Sequence, residues 1–590
     1  MTPILGWNVY SCVVLITACF LAATLNAIEI PPPAPKEKWV RATSPHFTIV
    51  SSAGESETRE MASDLETLAA TLQRLHPRFR EVPLTRSRVL LFQRRSEAQP
   101  YFDLLIARGT RAPGAFVNGD WGGTMVLSAM RKPDRTPYHE LVHNLMAGRV
   151  RPPLWLEEGW AEYYSYADLR GTKMRVGAPW RHVAWMRKRG ILPMREILDV
   201  GRGKALENRF YAEAWGAVDW LLRTDRAAFD AFEADIESGV DVETALRKHY
   251  NVSMERWEQG LAGAGRNSPF VVDTPRVETP VTVERLPHAE VLFELGSFLS
   301  EFDATRGDAE RHFRAALEAD PHHARSLAGL ARILAKSRDL DGAIPFFEQA
   351  ESISPDDPAV LLAYAEALLG EAIGPAAGSL PADDDAVFRF RKARELAQHA
   401  LDHGADEARA RSDIAISWTI EHDQTQAIAA LEAARLLAPR RRDLALNLYA
   451  IYLRSGQRDK ANALFVSEFL QSREGQVIFA AKSVLLRELT TKANALVADQ
   501  RLVEAVPIVY EIATLTPDEA ARHEIEKQAA QLEKTIELNR QIGEYNKAIE
   551  ELKNGDRKAA LQRIDALLVV ATDKEVIQDA KELRQELLRR

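Results

Sequence analysis

The stretch HELVHNLMAGRVRPPLWLEEGWAEYYS, residues 139–165, decides how the first part of the chain is interpreted. Residues four apart on an α-helix share one face, so His139 and His143 present two imidazoles to one point. This is the usual helical arrangement of zinc ligands, and a third protein ligand is needed to complete it. After the break at residues 151–153, a second helix can begin near Leu154 and carry Glu158 to the same point. We therefore expect one Zn²⁺ per chain, bound by His139, His143 and Glu158.

Two further carboxylates accompany these three residues. Glu140 projects beside the expected metal and is suited to take a proton from the attacking water. Glu162 lies one helical turn beyond Glu158 and is suited to accept a hydrogen bond from a zinc-bound histidine, which fixes the ring orientation. The alternative is a salt-bridged pair of helices whose His and Glu residues only decorate a surface. That alternative explains less, because these residues would crowd one face without a cation.

The order HELVH, spacer, WLEEGWAEY resembles the gluzincin metallopeptidases, whose pattern is HExxH followed by a Glu inside W-L-x-E-G-x-A. The resemblance is strong over about residues 136–166. It implies that His139, His143 and Glu158 bind zinc. It also implies that Glu140 is the catalytic base in hydrolysis of a peptide bond by metal-activated water. The 14 residues between His143 and Glu158 are fewer than in the larger gluzincins, so details of the pocket walls are not carried over.

A looser resemblance to the same group lies in FYAEAWGAVDWLL, residues 210–222. Gluzincins often place a tyrosine on such a downstream helix to stabilise the oxyanion, so the resemblance implies Tyr211 for this role. Tyr163, Tyr164 and His182 are the other candidates. The structural alternative is that each of these side chains is a packed core residue.

The segment GGTMVLS, residues 122–128, is predicted as a strand just before the HELVH helix. An extended peptide can add to the edge of such a strand and be aligned across a metal. The residues expected to do this are Thr124, Met125, Val126, Leu127 and Ser128. An ordinary edge strand without substrate contact is the equally weighted alternative.

The chain of 590 residues is too long for one hydrophobic core, so at least two domains are expected. Residues 46–270 alternate predicted strands with predicted helices, which indicates an α+β domain. The resemblance implies that this domain is a zincin-like metallopeptidase domain. The strands are predicted at 46–52, 87–93 and 122–128, and the helices at 56–76 and about 136–147, 154–167, 178–190, 208–224, 227–238 and 242–250. A proline-rich leader at 28–45 and a linker at 271–287 are expected to flank this domain.

Residues 288–590 read as helix after helix with a repeat of 34 residues, the spacing between Pro321 and Pro355. Small residues such as Ala343 and Ala350 let two helices approach closely, and Phe347 fills the gap to the neighbouring pair. This resembles the tetratricopeptide repeat (TPR), with its A-x3-F pattern and closing proline. The match is good over 290–356, fair over 390–440 and fragmentary beyond, with an insertion at 370–385. We expect an all-α, TPR-like solenoid; a non-repetitive helical domain is the alternative.

The first 27 residues contain no Asp, Glu, Lys or Arg and include the apolar run 13–23, which predicts a secretory signal peptide. An uncleaved N-terminal anchor is the runner-up, and ITAC at 16–19 also resembles a lipoprotein cleavage box. We expect an exported protein, periplasmic or in the cell envelope, secreted or held at the membrane through this segment only. Both cysteines lie within it, so the mature chain would have no disulfide and no thiolate ligand.

A net charge of −9 argues against nucleic acid as the main partner. The resulting hypothesis is an exported zinc metallopeptidase that acts on a protein or peptide substrate, with TPR repeats that bind a protein partner or the substrate. The combination resembles the bacterial peptidase-MA-like TPR proteins. The alternative is a cell-envelope TPR adaptor with a non-catalytic zinc-binding domain. A third hypothesis is a zinc hydrolase that acts on a non-peptide bond.

Overall fold

The structure is a computed structural model, and it describes most of the chain from residue 29 onward. The described residues are 29–80, 86–105, 114–119, 122–128, 136–146, 152–176, 180–191, 193–200, 208–263, 270–275, 280–370, 384–439, 441–470 and 475–589. The predicted signal peptide, residues 1–27, and most of the predicted insertion at 370–385 lie outside them. Within these ranges we find no helix that is both long and apolar enough to cross a membrane.

The described residues contain nine strands in two sheets and a long series of helices. The strands are β1 (Val40–Thr43), β2 (Phe47–Ser51), β3 (Ser87–Phe92), β4 (Gly114–Gly119), β5 (Gly122–Ser128), β6 (Ala167–Arg170), β7 (Lys173–Val176), β8 (Phe270–Asp273) and β9 (Thr282–Arg285). The helices before residue 288 are α1 (Glu55–Leu75), α2 (Arg95–Leu105), α3 (Thr136–Met146), α4 (Leu154–Ser165), α5 (Trp180–Arg189), α6 (Met194–Leu198), α7 (Asn208–Thr224), α8 (Arg226–Ser238), α9 (Val242–Tyr250) and α10 (Met254–Leu261).

The remaining helices follow one another with short connections. They are α11 (His288–Leu299), α12 (Arg306–Ala319), α13 (Ala324–Lys336), α14 (Leu340–Ile353), α15 (Pro358–Leu369), α16 (Asp384–Asp402), α17 (Glu407–Ile420), α18 (Gln424–Leu437), α19 (Arg442–Arg454), α20 (Arg458–Leu464), α21 (Gly475–Ala498), α22 (Leu502–Leu515), α23 (Glu519–Lys553), α24 (Arg557–Val570) and α25 (Lys574–Arg589). A π-helical segment, Phe465–Leu470, follows α20.

The larger sheet has the order β4-β5-β3-β2-β1-β9, and β6-β7-β8 form a small second sheet. In the larger sheet β2, β3 and β5 are parallel, whereas β1, β4 and β9 are antiparallel to their neighbours. The parallel strands are the three that the sequence predicts. Strands buried on both faces read as apolar runs, and VLLF in β3 is such a run.

Each face of this sheet packs against a different set of helices. Val89 and Met125 lie side by side and join the core that includes α1, α3, α4 and α7. Leu90 and Val126, the next residues along, join a separate core that contains Phe298 of α11. This division follows from the alternation of side chains along a strand. The sheet is therefore the layer between the helices that carry the predicted site and the first repeat helices.

The expectations of a free leader at 28–45 and a free linker at 271–287 are wrong for part of each segment. Each segment contributes a strand to the larger sheet, where β1 lies between β2 and β9. Ile30 and Trp39 of the leader are buried in the core beneath α11. The error arises because a four-residue antiparallel strand needs only two apolar positions, which proline- and threonine-rich surroundings obscure.

The described helices from α11 onward form TPR-like helix pairs, as predicted. Leu327, Ala343 and Phe347 are buried at the expected positions. Phe347 stacks on Tyr364 of the next pair, with ring centroids 4.8 Å apart. Contact between successive pairs is how repeat arrays bury their core. Aspartates at the N-caps begin many of these helices by accepting backbone N–H hydrogen bonds: Asp339, Asp357, Asp406, Asp423, Asp518 and Asp556.

The described chain divides into two compact units, with the boundary between residues 474 and 475. In the described residues, the first unit contains both sheets and the helices up to the π-helical segment. The second contains α21 to α25. The domain boundary expected at 271–287 therefore falls inside one compact unit, because α11, α12 and α13 supply part of the core on the second face of the sheet.

Candidate metal centre

The helices α3 and α4 bring the three predicted ligands together. On α3, Leu141, Val142 and Leu145 are buried in the core under the sheet, and the side chains of His139 and His143 turn toward α4. α4 begins directly after Pro153, whose extended ψ of 147° ends the preceding connection. Together the two helices place His139, His143 and Glu158 in one partly buried cluster.

The ligand atoms form a small triangle. Nε2 of His139 and Nε2 of His143 are 3.1 Å apart. Oε2 of Glu158 lies 3.4 Å from Nε2 of His139 and 3.6 Å from Nε2 of His143. Around a tetrahedral Zn²⁺ with bonds of about 2.0–2.1 Å, two ligand atoms are about 3.4 Å apart. The triangle therefore has the size that a zinc ion requires.

The oxygen Oε2 of Glu158 is buried and accepts no hydrogen bond from the described residues. Its separations from the two histidines are longer than ordinary hydrogen bonds. A buried carboxylate oxygen held only by such long contacts is costly, and coordination to a cation lowers that cost. This oxygen and the size of the triangle fit the residues to a metal.

A carboxylate also lies near Nδ1 of each imidazole, the ring nitrogen that is not in the triangle. Oε1 of Glu162 is 3.4 Å from Nδ1 of His139, as the sequence predicts, and Oε2 of Glu162 is 2.8 Å from Nε2 of His182. Oε1 of Glu157 is 3.3 Å from Nδ1 of His143. Partners of this kind hold the ring of a ligating histidine in one orientation. The sequence analysis missed Glu157, although the adjacent pair EE in WLEEG could have indicated one carboxylate for each histidine.

The pKa values of two carboxyl groups at the centre, Glu140 and Glu158, are shifted in opposite directions. Burial raises the pKa of Glu140, although His139 and His143 act against the shift. Burial also favours protonation of Glu158, but the two histidines outweigh it and hold the pKa of Glu158 well below its usual range. The ionised form of Glu158 is the form that can bind a metal.

Tyr211 lies on α7 and faces the same cluster. Burial raises the pKa of its phenol first, and the carboxylates of Glu158, Glu162 and Glu140 raise it further. The phenol therefore stays protonated near neutral pH and is available as a hydrogen-bond donor. The structure thus brings the sequence-predicted Tyr211 within the field of the three carboxylates.

Two other tyrosines proposed from the sequence point away from the cluster. The hydroxyl of Tyr164 is 2.6 Å from Nε2 of His76, and its ring stacks on Trp160 in the core. Tyr163 is also buried and packs edge to face on Tyr164. Tyr163 and Tyr164 lie five and six residues beyond Glu158 on α4, so both side chains turn away from the cluster and lie in the core.

The close approach of α4 and α7 depends on Gly159. A Cβ atom at this position would lie 2.5 Å from the carbonyl oxygen of Ala214 and 2.6 Å from Cγ2 of Val218. No side chain fits there without a shift of one helix. The glycine beside Glu158 therefore lets α7, with Tyr211, approach the cluster.

The expectation that residues 124–128 form an edge strand is wrong. β5 lies inside the sheet, paired with β3 on one side and with β4 on the other. Both sides of Thr124, Met125, Val126 and Leu127 are occupied by neighbouring strands, so no peptide can add along them, and Ser128 pairs with Phe92 of β3. The described strand at this edge of the sheet is β4. GAFVNG, residues 114–119, was not predicted as a strand, because the glycines at its two ends leave only a short apolar stretch.

Comparison with known proteins supports the repeats. Residues 306–358 match the tetratricopeptide repeat family, outside the stretch 139–165. No curated protein matches the chain. Similar solved structures include a thermophilic TPR protein of Thermus thermophilus, with 18% identity, 34% of this chain and 99% of that chain covered, and a TM-score of 0.29. PilW, described as a widely conserved type IV pilus biogenesis factor, has 18% identity, 41% and 91% coverage and a TM-score of 0.29. The pilF protein of Pseudomonas aeruginosa has 15% identity, 41% and 97% coverage and the same TM-score.

Proposed function

We propose that the chain is an exported zinc-dependent peptidase whose TPR repeats bind a protein partner or the substrate. The observation that carries the peptidase proposal is the triangle of His139, His143 and Glu158, whose buried carboxylate oxygen accepts no hydrogen bond from the described residues. Zincin-like folds bind their metal with the same kinds of residues on two neighbouring helices. The sheet beside α3 and the gluzincin-like motif support this interpretation of the first region.

The residues of the chain have separate tasks in this proposal. When bound, zinc polarises a substrate carbonyl and lowers the pKa of a water molecule. Glu140, buried beside the histidines, accepts the proton of the attacking water and passes it to the leaving amine. Glu157 and Glu162 keep the imidazoles oriented so that both Nε2 atoms face the metal. Tyr211 donates its phenolic hydrogen to the oxygen that becomes negative in the transition state.

The described edge of the sheet offers a place for an extended peptide. β4 is the terminal strand in the sheet order and pairs only with β5 among the described strands. An edge strand can hydrogen-bond to a substrate backbone independently of its side chains. This mode suits an unfolded protein substrate and replaces the predicted pairing with residues 124–128.

Metal analysis tests the centre directly. We expect about one tightly bound zinc per chain, which Glu158→Ala should remove or greatly reduce. Glu55→Ala is the matched control, because Glu55 is exposed and its carboxylate contacts only Arg59 among the contacts found. Loss of zinc in Glu158→Ala but not in Glu55→Ala supports the ligand set. Equal zinc content in wild type and Glu158→Ala would contradict it.

Hydrolysis of a denatured protein substrate separates the enzyme from the alternative function. A peptidase should cleave the substrate, stop when a chelator removes the metal, and recover when Zn²⁺ is restored. The TPR match at 306–358 favours, as the second candidate, an adaptor with a non-catalytic zinc domain. A chain that binds zinc tightly but cleaves no denatured substrate would favour this adaptor.

A further inference from the structure

A second group of metal-ligating side chains lies in the repeat region, away from the centre on α3 and α4. Asp356 occupies the turn between α14 and α15. His399 lies in the last turn of α16, and His403 follows directly after that helix. Their potential ligand atoms all lie within 4.8 Å of one another. The sequence analysis did not single out these residues.

Both imidazoles converge on a single carboxylate oxygen. Oδ1 of Asp356 is 3.0 Å from Nε2 of His399 and 3.5 Å from Nε2 of His403. The two rings meet edge to face, with centroids 4.6 Å apart. The separations are close to the roughly 3.4 Å expected between ligand atoms of a tetrahedral zinc ion.

The tautomer of His403 makes this geometry informative. Nδ1 of His403 is 2.9 Å from the backbone carbonyl oxygen of His399, which can only accept a hydrogen bond. Nδ1 therefore donates its hydrogen to this carbonyl, which turns Nε2 of the same ring toward Oδ1 of Asp356. A backbone carbonyl on the other ring nitrogen is also a common way to orient a ligating histidine.

We propose that Asp356, His399 and His403 bind a second divalent transition-metal ion, with Zn²⁺ as the reference ion. Two imidazoles and one carboxylate suit an ion of this class better than Mg²⁺ or Ca²⁺, which prefer oxygen ligands. Water completes the coordination because all three side chains are accessible. The ion links the turn that precedes α15 to the end of α16 and so stabilises this helix pair. This site is independent of the proposed peptidase activity.

Zinc stoichiometry of the full chain, purified without a polyhistidine tag, tests the site. We expect about two equivalents of Zn²⁺ in wild type, the second bound more weakly. Glu158→Ala should retain only the weaker equivalent, and His399→Ala in the otherwise wild-type chain only the tighter one. The double variant should bind neither. His322→Ala is the matched control, because His322 is an exposed repeat histidine outside the cluster.

The outcomes distinguish this proposal from the proposed function. Loss of the weaker equivalent with His399→Ala or His403→Ala, but not with His322→Ala, supports the second site. Saturation of wild type at one equivalent that only Glu158→Ala removes would overturn it and leave the first centre intact. A thermal unfolding midpoint that rises with Zn²⁺ in Glu158→Ala, and not in the double variant, gives a second readout. If Zn²⁺ does not raise the unfolding midpoint of Glu158→Ala, the proposal that a metal ion links the turn before α15 to the end of α16 would be contradicted.

Discussion

Two histidine pairs in this molecule have the same spacing but different surroundings. His139 and His143 are four residues apart, as are His399 and His403, and a carboxylate from another segment joins each pair. The side chains of the first pair and Glu158 are 12–16% exposed. Those of the second pair and Asp356 are 40–63% exposed. The i, i+4 spacing of the histidines therefore predicts that a metal can bind. The burial of the site and its neighbouring carboxylates determine whether a bound metal can also support hydrolysis.

The two histidine pairs also differ in the residue that follows the first histidine of each pair. The first pair is part of HELVH and the second is part of HALDH, so Ala400 stands where Glu140 does. A metal at the second cluster would have no carboxylate at the position of Glu140, and the nearby carboxylate of Asp402 accepts a hydrogen bond from Gln398. We therefore expect hydrolysis at the first cluster alone and only binding at the second.

The largest effect is expected for Glu140→Gln. The amide cannot accept the proton, so hydrolysis should fall by about 10²–10⁴-fold while zinc stays bound. Turnover is measured with a denatured protein substrate and zinc by elemental analysis, with exposed Glu55→Gln as the control. Zinc-loaded Glu140→Gln that hydrolyses at the wild-type rate would remove Glu140 from the mechanism.

A smaller effect is expected for the carboxylates behind the first histidine pair. Glu157→Ala and Glu162→Ala should each weaken zinc binding by about 10–100-fold without abolishing it, because each leaves one imidazole unsupported. Competition with a chromogenic chelator measures the affinity. Glu55→Ala should bind as wild type. An unchanged affinity in either variant would assign that glutamate to packing rather than to orientation of the ring.

The approach of α4 and α7 can be tested at Gly159. Gly159→Ala should lower the free energy of unfolding by about 1–3 kcal/mol, because the new methyl group collides with the backbone at Ala214. It should also impair hydrolysis by displacing Tyr211. The control is Gly307→Ala, where a Cβ meets no atom within 4 Å. Denaturant unfolding measures the stability of both variants; equal values would show that the helices adjust freely.

The smallest effect is expected when a histidine of the second pair, His399, is replaced and no metal is bound. His399→Ala should change the free energy of unfolding by about 1 kcal/mol or less in the presence of a chelator, because solvent screens an exposed ion pair. The same substitution should remove most of the zinc-dependent stabilisation. If the metal-free variant were strongly destabilised, the histidine would have a packing role that its exposure does not suggest.

The sequence was most informative where one periodicity continues over many residues. Helices α3, α4, α7, α8 and α9 begin and end within about two residues of their predicted limits. The buried parallel strands β2, β3 and β5 were also predicted, because they are apolar runs. Short antiparallel strands such as β1, β4 and β9 were missed, since each has few apolar positions and depends on a distant partner for its hydrogen bonds.

The candidate metal-binding residues also fall into two groups, those that spacing along a helix predicts and those that only the tertiary structure reveals. His139, His143, Glu158 and Glu162 follow from spacing along two helices, and their atoms lie as close together as that spacing implies. Glu157 could have been inferred from its position beside Glu158. The role of Asp356 could not, because 43 residues separate it from His399 and only the packing of successive helices brings them together.

The sequence by itself determined the helical histidine pair at 139 and 143, the repeat period and the apolar parallel strands, because each depends on residues close together in the chain. Only the tertiary structure decided which strand lies at the edge of the sheet. It also decided that the first repeat helices cover the second face of that sheet, and that the expected leader and linker join it. These features depend on contacts between distant segments, and such contacts leave little trace in local composition because many apolar patterns satisfy them equally well.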